Sequence, residues 1–180
     1  MATRAVLLAS LIAAINSWSA VGGTAQAEES DTAALAAAMK TAKATLQRAL
    51  IASKAQGTPI SARFEIEDGK LQLSIYTMKG DDFMEIVADA KTGAIAKAEE
   101  LTDAMDLNQA MEQEAAMAKA NVPLLTAAEA AVNANAGSRA VSIVPELKNG
   151  QATAEVTLLA GNTFKKVTEK LDRGAGVAEP

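Results

Sequence analysis

The sequence predicts an α+β fold built from two repeats, each a helix with a three-stranded antiparallel sheet, joined by a helical linker. Three observations carry this. Gly57, Gly69, Gly80 and Gly93 recur as Gly137, Gly150, Gly161 and Gly174, at an offset of 80 to 81 residues. Glycines mark places where the backbone needs positive φ or a tight reversal, so a shared glycine grid implies a shared backbone course. Between the glycines, Ile75 answers Val156, Phe83 answers Phe164 and Ile86 answers Val167. Within each half the hydrophobic period also switches from helical to alternating. The expected organisation is a leader (1–27), a first repeat (28–95), a linker (96–121) and a second repeat (122–180).

The leader reads as a signal peptide. Arg4 supplies a positive start, Ala5 to Ile15 an apolar stretch, and Ala25-Gln26-Ala27 a small-x-small cleavage site. The stretch is too short for a membrane span, which takes about 20 residues. The expectation is an exported protein, periplasmic or secreted, beginning at Glu28 and not inserted in the membrane once the leader is cleaved.

The first helix is expected from Thr32 to Ala55. Leu35, Met39, Ala42, Leu46 and Leu50 fall at helical spacing, and Gly57 and Pro59 end it. Ile60, Ala62, Phe64 and Ile66 then alternate with polar residues as a half-buried strand, and Asp68-Gly69 is a two-residue hairpin signal. Leu71, Leu73 and Ile75 form the returning strand, and Phe83 to Ala88 a third. Ile95 to Asn121 is helical in propensity, with Leu107, Met111, Ala115 and Ala118 as its buried stripe and a break near Thr102-Asp103. Thr126 to Glu129 reads as a capping box opening a helix through about Asn135. Val141, Ile143 and Leu147 mark a strand in which Pro145 implies an edge position or a bulge. Asn149-Gly150 is the matching hairpin, followed by a strand through Leu158 and a last one from Thr163 to Leu171.

Composition removes whole classes of chemistry. The chain has no Cys and no His. That excludes thiolate nucleophiles, Cys-ligated zinc, iron–sulfur clusters, the usual Ser-His-Asp arrangement and the commonest general base. There is no Ser-x-x-Lys pair, P-loop or Gly-x-Gly-x-x-Gly stretch. Carboxylates, lysines and Tyr76 are what remain, so the chain reads as non-enzymatic and needs no cofactor. Without Arg4 it carries 16 basic against 22 acidic residues, net −6. Such a chain repels nucleic acid and anionic lipid.

Candidate contacts for a ligand or partner are Arg63, Tyr76 and Arg139, polar groups on or beside apolar strands. Asp81, Asp82 and Asp89 offer oxygen atoms without the spacing of a calcium loop, and read as turn residues. Met105, Met111 and Met117 lie six residues apart, which rotates them around a helix and favours core packing over a copper face. No metal is expected.

In Ala49 to Gly57, Phe64 to Gly69, Leu73 to Tyr76 and Val87 to Gly93, the first half resembles the PepSY domain. The second half matches through Thr126 to Gly137, Asn149-Gly150 and Val156, and departs where Lys170 to Gly174 replaces the Asp-Ala-Lys-Thr-Gly turn. PepSY domains occur in the propeptides of thermolysin-like secreted peptidases, where they restrain the enzyme. The resemblance therefore implies no catalytic residues and a protein partner: an exported regulator or inhibitor of an envelope or secreted peptidase. A sensor or scaffold module that binds a small ligand, or a membrane signalling or redox protein, is the alternative.

Overall fold

The computed structural model describes residues 24–172, with side chains described from residue 31. Most of the leader lies outside the described residues. The elements in chain order are α1 (Thr24–Met39), α2 (Leu46–Ser53), β1 (Thr58–Glu67), β2 (Lys70–Lys79), β3 (Asp82–Asp89) and β4 (Ile95–Glu100). They continue with α3 (Ala104–Met117), α4 (Leu124–Ala134), β5 (Arg139–Lys148), β6 (Gln151–Ala160) and β7 (Thr163–Lys170).

All seven strands form one antiparallel sheet in the order β4-β3-β2-β1-β5-β6-β7. The expectation of two repeats, each with its own three-stranded sheet, is thereby corrected. A unit of half this size buries too little apolar surface to stand alone, and the meander ends are unpaired strand edges. Joining β1 to β5 removes both problems: Ala62 faces Ile143 and Arg63 faces Ser142. One core then runs across the join, with Ala62, Phe64, Leu73, Ile75, Ile86, Ile143, Val156 and Leu158 packed against Leu46, Leu50, Leu124 and Ala128 of α2 and α4.

The β1–β5 seam is short for a local reason. Register shifts between Pro59 and Ser61 and between Ala140 and Ser142 interrupt β1 and β5 at matching places. Pro59 and Pro145 also have no N–H to donate. Pro145 is thus within a central strand, not at an edge, at a level where β1 and β5 no longer pair.

The two hairpin turns follow their local chemistry. Asp68 and Gly69 have φ of 50° and 73°, and Asn149 and Gly150 have 53° and 80°, the paired positive φ that a tight two-residue turn requires.

Four other sequence expectations are overturned. The helical linker over 96–121 begins instead as β4, whose Glu99 faces Glu85 and Ala98 faces Ile86. The open edge of β3 outweighs the helical propensity of Ile95 to Glu100, as tertiary pairing commonly does. The helix over 32–55 is broken: α1 ends at Met39, and Thr45 caps α2 by accepting from Arg48 N–H at 3.2 Å. The break sits where Lys43 and Ala44 N–H both donate to the Ala90 carbonyl, at 3.1 and 3.0 Å. The α4 helix starts at Leu124 with Pro123 as N-cap and no side-chain cap, so Thr126 lies inside it. Finally, the buried residues of α3 are Asp106, Ala110, Gln113 and Ala116, while Met105 and Met111 are 65% and 57% exposed. Of the three methionines read as core, only Met117 packs against the apolar clusters.

Candidate functional site

Strand alternation puts Ile75 in the main core and Tyr76 on the opposite face of the sheet. There Tyr76, Ile60, Leu101 and Ala110 form a second, smaller cluster, joined by Met78, Phe83, Leu107 and Met117. Helix α3 therefore covers part of this second face. Its start is fixed by Asp103, whose carboxylate accepts from Met105 and Asp106 N–H at 2.8 and 3.3 Å.

Beside this cluster lies a network of charged groups. Arg63 Nη2 donates to the Tyr76 hydroxyl at 3.3 Å, and that hydroxyl donates to Asp106 Oδ1 at 3.1 Å. Arg63 Nε pairs with Glu65 Oε2 at 2.9 Å, and its guanidinium carbon lies 5.5 Å from the Tyr76 ring centre, within cation–π range. Glu65 also accepts from Gln72 Nε2 at 3.2 Å and from the Ser74 hydroxyl. Gln72 reaches Glu67 as well. Glu85 stands in the row of Tyr76 across the β2–β3 ladder.

The electrostatics follow from burial among like charges. Burial pulls the Arg63 guanidinium down, but Glu65, Tyr76, Asp106 and Glu85 outweigh it and the net shift is upward. Burial, with Asp106 and Glu85 nearby, pushes the Tyr76 phenol well up, against the pull of Arg63. Asp106 is raised by burial despite its hydrogen bond from Tyr76. Glu85 is raised by burial and then by Glu65. Burial thus shifts the phenol and the two carboxyls upward, while the surrounding acidic groups favour the charged guanidinium.

The structure brings Arg63 and Tyr76 together and places Arg139 elsewhere. Arg139 Nη1 donates to the carbonyls of Met39 and Ala42 at 3.1 and 3.0 Å, and Nη2 to that of Ala44 at 2.7 Å. Its guanidinium stands 5.6 Å from the Phe64 ring centre. Burial lowers its pKa. These donors close the elbow between α1 and α2. Sequence reasoning missed Asp106, Glu65 and Glu85 as partners of Arg63. The usable signal was alternation, since Glu65 follows Arg63 by two residues on one strand face.

Asp89 is engaged by its own turn. Its Oδ1 accepts from Thr92 N–H and hydroxyl at 2.7 and 2.8 Å and from Lys91 N–H at 3.1 Å. The Thr92 bonds hold this carboxyl below the ordinary range. Among the described residues no group of three or more acidic side chains is placed to hold a metal ion. No helix among them is long and apolar enough to cross a membrane. Two surface recesses, of about 250 and 180 Å³, flank Ser138, away from the Arg63 network.

No family model and no curated protein matches the chain. Among solved structures it is similar to a protein of Clostridium difficile 630 described as a "putative lipoprotein", with 15% identity, a TM-score of 0.37, and coverage of 70% of this chain and 84% of that one.

Proposed function

We propose that this chain is a non-catalytic binding protein of the cell envelope, and that it contacts a protein partner through the second sheet face around Arg63, Glu65, Glu67 and Glu85. The observation that carries this reading is the internally bonded network. Apart from Asp106 on α3, its charged groups sit on strands and are bonded within the network, and none is an activated nucleophile or a free base beside a cleft. Preorganised polar groups on a sheet suit recognition, because little side-chain freedom is lost on binding. The excess of carboxylates selects a partner with a basic surface. The envelope location rests on the leader read from the sequence, and the peptidase as partner rests on the PepSY resemblance.

The small-ligand alternative finds less support. The two recesses fall below the ordinary range of roughly 300–1,000 Å³ for ligand pockets; Arg139 lines the larger, but its guanidinium is engaged by three backbone carbonyls, and neither recess contains Arg63 or Tyr76. The deciding experiment is capture by the full chain from native envelope extract, followed by assay of the captured protein. A captured peptidase that loses activity when the chain is added supports the reading in full. A captured sensor or redox protein overturns the peptidase assignment, and saturable binding of a metabolite with no protein captured overturns the whole reading.

A further inference from the structure

Helix α3 is held to the sheet unlike its neighbours. The buried face of α2 is Leu46, Ala49, Leu50 and Ser53, and that of α4 is Leu124, Ala127, Ala128 and Ala131, so neither buries a carboxylate or an amide. The fully buried residues of α3 are two alanines, a carboxylate and an amide, Ala110, Ala116, Asp106 and Gln113, with Leu107 and Met117 packed beside them only partly buried. Asp106 has the Tyr76 hydroxyl as partner. Gln113 is 5% exposed and its Oε1 has no hydrogen-bond partner, and a buried polar atom left unpaired opposes the state that buries it. The ends of the segment are tied independently of the helix. Leu101 N–H donates to Phe83 O at 2.9 Å, and Asn121 and Val122 N–H donate to Leu171 O at 2.8 and 2.9 Å.

We propose that α3 is a hinged cover, which lifts from the sheet between fixed anchors at Leu101 and Val122 while the main core stays folded. Lifting hydrates the Gln113 amide oxygen and breaks the Tyr76–Asp106 hydrogen bond. It uncovers Ile60 and Tyr76, which share a cluster with Ala110 of α3, beside the acidic surface. The cover stands on the packing of α3 alone and does not depend on the binding reading.

Amide hydrogen exchange on the full chain across a denaturant series tests it. The α3 amides are expected to open more readily than those of β2 and β6, with a much weaker denaturant dependence, the mark of sub-global opening. Gln113→Leu, which removes the unpaired amide oxygen, is expected to slow α3 exchange by roughly fivefold or more. Val156→Ala, in the main core, is expected to speed exchange in β6 and leave α3 unchanged, because that core is intact in both positions of the cover. If α3 opens with the same free energy and denaturant slope as β2 in the unsubstituted chain, the proposal is overturned. Unchanged α3 exchange in Gln113→Leu, or faster α3 exchange in Val156→Ala, overturns it as well.

Discussion

Arg139 Nη1 donates to the Met39 carbonyl at 3.1 Å, tying the start of β5 to the end of α1 across 100 residues of chain. The same guanidinium serves Ala42 and Ala44, so one side chain satisfies three carbonyls at the α1–α2 elbow. Arg139→Ala is expected to lower stability by about 3 kcal/mol, since a hydrogen bond from a charged group contributes roughly 1.5–3 and water can replace part of the loss. Arg139→Lys should recover only a fraction, because a single ammonium cannot span the three acceptors. Urea denaturation of both variants checks this; full recovery by lysine would show that charge, not the fork, matters.

Gly57 and Gly137 hold matching sequence positions but unequal surroundings. A Cβ at Gly57, where φ is 150°, would lie 2.7 Å from the Met78 carbonyl oxygen. One at Gly137, where φ is 82°, would meet nothing within 4 Å. Gly137→Ala should cost about 1–2 kcal/mol, the left-handed backbone penalty alone. Gly57→Ala should cost more, because a backbone atom must move. Thermal melts of the two variants compare them directly.

The raised carboxyls set a pH dependence of definite sign. Asp106 and Glu85 are both held above the ordinary range, by burial first. The folded chain then binds their protons more tightly than the unfolded chain does. Their effect on stability therefore becomes more favourable as pH falls through the folded values towards the unfolded ones, near about 4, and is constant below that. Compared with Glu85→Gln, the unsubstituted chain should gain stability between about pH 7 and about pH 4.5. Asp89 acts in the opposite sense and at lower pH, since its carboxyl is depressed. Urea midpoints measured against pH for both proteins test the sign.

Tyr76→Phe removes the hydroxyl between Arg63 and Asp106. The loss of one buried hydrogen-bond link should cost roughly 1–3 kcal/mol. It should also raise the Asp106 pKa further, because the Tyr76 bond is what favours the ionised form. Carboxyl-carbon NMR titration reads the shift; an Asp106 titration that stays in place would mean that the hydroxyl does not engage it.

Features governed by neighbours in sequence were legible, and those governed by neighbours in space were not. Asp68-Gly69 and Asn149-Gly150 declare their turns because both φ angles are set locally. The alternation of Ala62, Phe64, Leu73 and Ile75 declares the core face for the same reason, but Ile60, read on that face, lies in the second cluster beyond the register shift at Pro59–Ser61, and Ile66 is 39% exposed. Ile95 to Glu100 carries helical propensity yet becomes a strand, because the decisive partner is the edge of β3. The α1–α2 break depends on Arg139 and Ala90, both remote in sequence. The stripe on α3 was misplaced because its buried face is polar and small, so the apolar period pointed to Met111 instead of Gln113. At the candidate site Arg63 and Tyr76 were legible as polar groups on apolar strands, and Asp106 was not, since only the fold of α3 onto the sheet brings it there.

Site-specific photo-crosslinking tests the binding face most directly. A crosslinking residue at Glu67, beside the Arg63 network, is compared in native envelope extract with one at Ile51, which is 55% exposed on α2. Position 67 is expected to give a discrete protein adduct that Glu65→Lys abolishes, and position 51 none. An adduct from position 51 alone, or one from position 67 that Glu65→Lys leaves intact, would contradict the proposed binding face.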